Sequence, residues 1–120
     1  MSSTTTALPF RVPEQPTAHQ LVAKYFRAFG DPTRLQILEL LRGGELMVGE
    51  IVARVGTSQP RVSAHLACLR WCRFVETRRE GRAVFYRLAD ERVAAMLDLA
   101  RALLAENADH VAACRAIDRV

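Results

Sequence analysis

Apolar residues fall on helical spacing in five places along the chain and on strand-like spacing in one. From Ala18 to Phe29 they recur at Leu21, Val22, Tyr25, Phe26 and Phe29, which predicts a helix with one wet side, ended by Gly30. Asp31-Pro32 is a start signal, since Asp caps free amides of a first turn and Pro is pre-shaped for the first helical position. The helix it opens turns Leu35, Ile37, Leu38 and Leu41 inward and stops at Gly43-Gly44. Val48 to Val55 predicts a short helix on Val48, Ile51, Val52 and Val55, with Gly56 supplying a left-handed end. A fourth helix, capped by Thr57 or Ser58, runs through TSQPRVSAHLACLRWCR to Arg73 with Val62, Leu66 and Leu69 on one stripe. Phe74 to Arg79 and Ala83 to Leu88 are rich in strand formers and flank Glu80-Gly81-Arg82, a β-hairpin with glycine in its turn. Asp90 then caps a long helix to about Asn107, with Val93, Met96, Leu97, Ala100, Leu103 and Leu104 on one face.

A short helix, a glycine turn and a second helix with small polar residues at its start form a helix-turn-helix, and a basic hairpin directly after it is a wing. The expected fold is mainly α with a small β-hairpin (α+β): a winged helix-turn-helix, dimeric through its terminal helices. The dimer expectation rests on the last long helix, whose apolar face exceeds what a domain with a core already needs. Residues 1–16, rich in Ser, Thr and Pro, are expected to be a disordered arm, 17–107 the DNA-binding and dimerisation domain, and 108–120 a tail.

At 120 residues the chain is of single-domain length. No apolar run approaches the roughly 20 residues of a membrane-spanning helix, and the start lacks a signal-peptide pattern, so a cytoplasmic protein without a membrane partner is expected. Charge is informative by its placement. Arg61 to Leu88 holds seven arginines against Glu76 and Glu80, a local +5, which leaves −1 for the rest of a chain whose total is +4. So concentrated a patch favours a polyanion, because neutralised phosphates release counterions. On the fourth helix Gln59, Arg61, Ser63 and Ala64 are the candidate contacts to duplex DNA; on the wing they are Arg78, Arg79 and Arg82. Paired reading helices in a homodimer would suit a pseudo-palindromic operator, with half-sites about one helical turn apart.

The three cysteines cannot all pair, and a reducing compartment makes metal binding or redox sensing a better expectation than a structural disulfide. Cys68 and Cys72 stand four apart, so their side chains stack one turn above the other. At about 100° per residue both lie about 90° or more from the Val62–Leu66–Leu69 stripe, off the core face.

The segments FGDPTRLQILELL, SQPRVSAHLACLR and ETRREGRAVFYRL, in this order and spacing, resemble the ArsR/SmtB family of dimeric winged-helix repressors over about residues 18 to 106. The resemblance implies a transcriptional repressor released from its operator by an inducer. Of the family's sensing sites, the cysteine pair near the start of the third helix is absent, since ELMVGE puts Met47 and Gly49 in its place. The acidic and histidine site of the last long helix lacks its histidine: Asp90 and Asp98 are present, but no histidine precedes His110. What remains is similar to the cadmium- and lead-sensing branch of the family, in which two cysteines four apart near the end of the recognition helix join a third from the carboxy-terminal region. Cys68, Cys72 and Cys114 match that set in type, spacing and order.

Three thiolates are soft donors that suit Cd(II) or Pb(II), with Hg(II) and Zn(II) as further candidates, over ions that prefer oxygen. Cys114 lies 46 residues beyond Cys68, past a helix about 25 Å long at 1.5 Å per residue, so it must fold back or come from the other subunit. His65 and His110 are additional candidate ligands. A thiol redox or persulfide sensor of the same fold is one alternative, and a DNA-binding protein with a purely structural zinc site is another. No nucleophile–base–acid set, phosphate loop or HExxH motif is present, so an enzyme is not expected.

Overall fold

The computed structural model describes residues 8–11 and 16–118, so most of the expected amino-terminal arm lies outside the described residues. The elements run α1 (Ala18–Phe29), α2 (Pro32–Leu41), β1 (Leu46–Met47), α3 (Val48–Val55), α4 (Gln59–Trp71), β2 (Val75–Glu80), β3 (Ala83–Leu88), α5 (Glu91–Leu104), α6 (Ala108–Ala113) and α7 (Arg115–Asp118). Caps fall where the sequence puts them. The Asp31 carboxylate accepts from the Arg34 amide at 3.0 Å, and the Ser58 hydroxyl accepts from that of Arg61 at 3.4 Å. Gly56 closes α3 at φ 78°, a left-handed turn that brings α4 across it.

The core is one apolar cluster to which α2 gives Ile37, Leu38 and Leu41, α3 Ile51, α4 Val62, Leu66 and Leu69, and α5 Val93 and Leu97. Phe74 and Val75 close it at the start of the wing. Phe74, only 1% exposed, packs at 4.6 Å from the Tyr25 ring and 4.3 Å from that of Phe29, and so ties α1 to the helix-turn-helix.

The wing departs from a plain hairpin. Leu46 and Met47 pair with Tyr86 and Phe85, making a three-stranded antiparallel sheet of order β1-β3-β2. Two residues are too short to show the alternation by which strands are read. The β2–β3 register runs from Val75 opposite Leu88 to Glu80 opposite Ala83, leaving a two-residue turn in which Gly81 takes φ 61°.

Helix α5 stops at Leu104, three residues earlier than its pattern suggests, and its apolar face divides between two environments. Val93 and Leu97 enter the core, whereas Leu99 and Leu103 are 62% and 66% exposed. On α1, Phe26 is likewise 59% exposed. At the start of α5 the side chain of Arg92, and then its amide, bond to Asp90 and hold that carboxyl at about 2. Its folded value lies below the unfolded one of about 3.9, so the stability it adds is present above that pH and is lost as pH falls towards 2. In Asp90→Asn, which keeps a capping side chain, the urea midpoint should fall less than that of the wild type on acidification over this window. An equal fall in both would contradict the assignment.

Helix α4 ends in a Schellman turn: the Phe74 amide bonds to the Leu69 carbonyl at 2.9 Å and the Arg73 amide to that of Arg70 at 3.0 Å. Arg73 takes φ 61°, the one non-glycine residue with positive φ among the described residues. Glycine is the usual occupant, and an L side chain there costs roughly 1–2 kcal/mol. Arg73→Gly should therefore raise stability by about 1 kcal/mol, read as an upward shift of the urea midpoint; a lowered midpoint would contradict the strain.

Candidate metal centre and nucleic-acid interface

Two surfaces diverge from α4. Gln59, Arg61, Ser63, Ala64, Ala67, Arg70 and Trp71 are all exposed, a face with no large aliphatic side chain, beginning at a capped amino terminus. On the wing Arg79 and Arg82 are exposed at the tip. Arg78, grouped with them by sequence, is committed within the chain. Its Nε donates to Glu45 at 3.1 Å, its Nη1 to Glu80 at 2.9 Å, and its guanidinium lies 4.6 Å from the centre of the Phe85 ring. The bond from Arg78 holds the Glu45 carboxyl below its ordinary range. Arg78 thus braces the wing against the α2–β1 connection, a role that residue type alone does not reveal.

The other surface carries the cysteines. Cys68 and Cys72 are not free of the core as the helical wheel suggests: both are half-buried and pack against the apolar cluster. A wheel describes one helix, and here neighbouring α1 and α2 extend the buried zone past the central stripe of α4. The Cys68 and Cys72 side chains stand one helical turn apart at the end of α4. Burial is the main cause raising the Cys72 thiol above its ordinary value, followed by the neighbouring Cys68; Arg34 and Lys24 oppose the rise. Arg34 is a residue the sequence did not single out. It donates from Nε to the Ala28 carbonyl at 2.8 Å and from Nη2 to that of Arg27 at 3.0 Å, binding the end of α1 to α2. Its Nη1 also lies 3.4 Å from His65 Nδ1, while His65 Nε2 stands 3.9 Å from Asp31. His65 is thereby engaged in the α2–α4 contact.

Cys114 caps the short helix α6, half-buried, beyond α5. Among the described residues of one chain, no three His, Cys, Asp or Glu side chains converge as a metal site. Within a single subunit the structure brings together the Cys68–Cys72 pair and leaves Cys114 apart. A pair of adjacent soft donors suits part of a thiolate site, which needs a third ligand from elsewhere. Asp98, on the α5 face where the family's other site would lie, pairs with Arg42 at 2.8 Å instead. No helix among the described residues is long and apolar enough to cross a membrane.

Residues 31–77 match the family model described as "Bacterial regulatory protein, arsR family". The chain is 45% identical over 105 residues to a protein of Streptomyces lividans named "Probable mercury resistance operon repressor", covering 87% of this chain and 84% of that one. It is 42% identical over 89 residues to the transcriptional regulator CmtR of Mycobacterium bovis, covering 73% and 75% of the two. The fold superposes with TM-score 0.69 and 35% identity on a homodimeric winged helix-turn-helix DNA-binding domain, also from Mycobacterium bovis, over 84% of this chain and 95% of that one. With its winged helix-turn-helix, its capped reading helix and these relatives, the chain belongs to the arsR family of bacterial regulatory proteins, which are regulators and not enzymes.

Proposed function

We propose that the chain is a metal-responsive transcriptional repressor that binds a pseudo-palindromic operator as a homodimer and lets go when a soft metal ion, Cd(II) or Pb(II) and by the same chemistry Hg(II) or Zn(II), is held by Cys68, Cys72 and the Cys114 of the partner subunit. The observation that carries this reading is the pair of half-buried free thiols one turn apart at the end of α4, the same helix that presents the exposed polar face. Gln59, Arg61, Ser63 and Ala64 meet the major groove, and Arg79 and Arg82 reach phosphate or the minor groove beside it, while Arg78 supports the wing that carries them. The exposed Leu99 and Leu103 of α5 and Phe26 of α1 supply apolar area for a seam between subunits. Such a seam would bring the tail of one subunit towards the α4 end of the other.

A ligand shifts an equilibrium only by its difference in affinity for the two states. Linking the end of α4 to the opposite tail would favour one separation of the two reading helices over the other, and operator half-sites demand a fixed separation. Burial holds the Cys72 thiol protonated above its ordinary range, which does not by itself favour an oxidant as the signal. A metal displaces the proton as it binds, so affinity should rise with pH. Nor does the fold need a structural zinc, since the core closes on apolar side chains. The test is fluorescence anisotropy of a labelled duplex, recovered by selection from a random-sequence pool, with and without Cd(II). Tight binding that weakens on stoichiometric Cd(II) supports the reading; tight binding indifferent to soft metals removes the sensor.

A further inference from the structure

Gln59, Ser63, Ala67 and Trp71 succeed one another at intervals of four, so they form a single ridge along α4. The first three are short or polar. The last is the chain's one tryptophan, and it is 91% exposed. Full exposure of so large an apolar ring is costly unless a partner covers it. Around it, Ser63, Ala67, Arg70, Arg73 and Tyr86 line a groove of about 630 Å3 with two arginines and no carboxylate. Neither arginine makes an ion pair among the described residues, and Arg73 keeps its charge at a backbone position that favours glycine. Strain of this kind persists where the side chain is needed.

We propose that Trp71, Arg70 and Arg73 form a second DNA contact at the carboxy-terminal end of the reading helix, gripping the sugar–phosphate backbone and not the bases. The inference rests on the DNA-binding reading above and adds a site to it. At 1.5 Å per residue Trp71 stands about 18 Å along the helix from Gln59. The major groove is about 12 Å wide, so with the amino-terminal turns against base edges the other end meets the groove wall. There the indole covers deoxyribose and offers its N–H to a phosphate oxygen, while the two guanidinium groups pair with neighbouring phosphates. The charge of the surface selects the polyanion over a second protein, and the ridge is continuous with the groove-facing residues.

The metal-free full chain and the selected duplex test this directly, because Trp71 is the sole indole reporter. Adding duplex should shift its emission or quench it in step with anisotropy of the labelled DNA. Trp71→Ala and Trp71→Phe should weaken binding, the alanine variant by about tenfold, with unchanged preference among operator sequences. Arg70→Ala and Arg73→Gly should each lower the salt slope of binding by about one, so Arg73→Gly would gain stability and lose affinity together. If anisotropy reports tight binding while the emission and the Trp71→Ala affinity stay unchanged, the contact is absent although DNA binding stands. Emission that changes on protein dilution alone, and not on DNA addition, would make the patch a subunit contact and overturn the proposal. A wild-type chain that binds no duplex removes the repressor reading and this site with it.

Discussion

Replacing Cys68, Cys72 or Cys114 by serine should leave operator affinity within about twofold of wild type and abolish the response to Cd(II). Serine preserves size at each position, and none of the three thiols lies on the exposed face of α4, so the DNA-bound shape survives. What is lost is a soft donor: a hydroxyl is a poor partner for an ion that selects thiolate. In the wild type a coupling of about 3 kcal/mol would weaken operator binding some 150-fold, and in each variant the same titration should leave affinity flat. Induction retained in all three variants would remove the site. Induction lost only in Cys68→Ser and Cys72→Ser would leave the pair as ligands and dismiss Cys114.

Truncating Phe74 should be the most damaging single change to the fold, at about 3–5 kcal/mol for Phe74→Ala. The ring is 1% exposed and wedged between Tyr25 and Phe29, at the point where α4 hands over to the wing. For a domain whose total stability is on the order of 5–15 kcal/mol, such a loss is a large fraction. Chemical denaturation should show a lower midpoint with an unchanged slope, together with weaker dimerisation, because α1 loses its anchor. A variant within about 1 kcal/mol of wild type would mean that α1 is held by other contacts.

Most of the helical frame is legible from residue spacing because local rules and burial agree there: Asp31, Ser58 and Asp90 cap the helices that their positions imply, and Val62, Leu66 and Leu69 face the core as one stripe. The departures have a common cause, contact between elements distant in sequence. Strand β1 exists only because β3 is there to pair with it. Arg78 reads from its type and place as a phosphate contact, and its bond to Glu45, 33 residues away, adds a bracing role that spacing does not show. Cys68 and Cys72 read as free of the core because a wheel contains no α1 or α2. Trp71 shares the i, i+4 ridge of Gln59, Ser63 and Ala67, but its exposure is not written in that spacing, since an apolar residue near a helix end ordinarily packs inward. Cys114 joins no group of three metal-ligating side chains among the described residues of one chain, and the proposed site gives it the Cys68–Cys72 pair of another copy.

That cross-subunit assignment is the centre of the account, and a purified heterodimer tests it. One subunit carries Cys68→Ser with Cys72→Ser, and the other carries Cys114→Ser, so the only complete set of three sulfurs spans the two chains. On titration with Cd(II), the ultraviolet thiolate-to-metal absorption of this heterodimer should saturate at one ion per dimer with half the wild-type intensity, while either homodimeric variant shows no three-sulfur band. A heterodimer as silent as its parents, beside a wild type that binds two ions, would contradict a site shared between subunits.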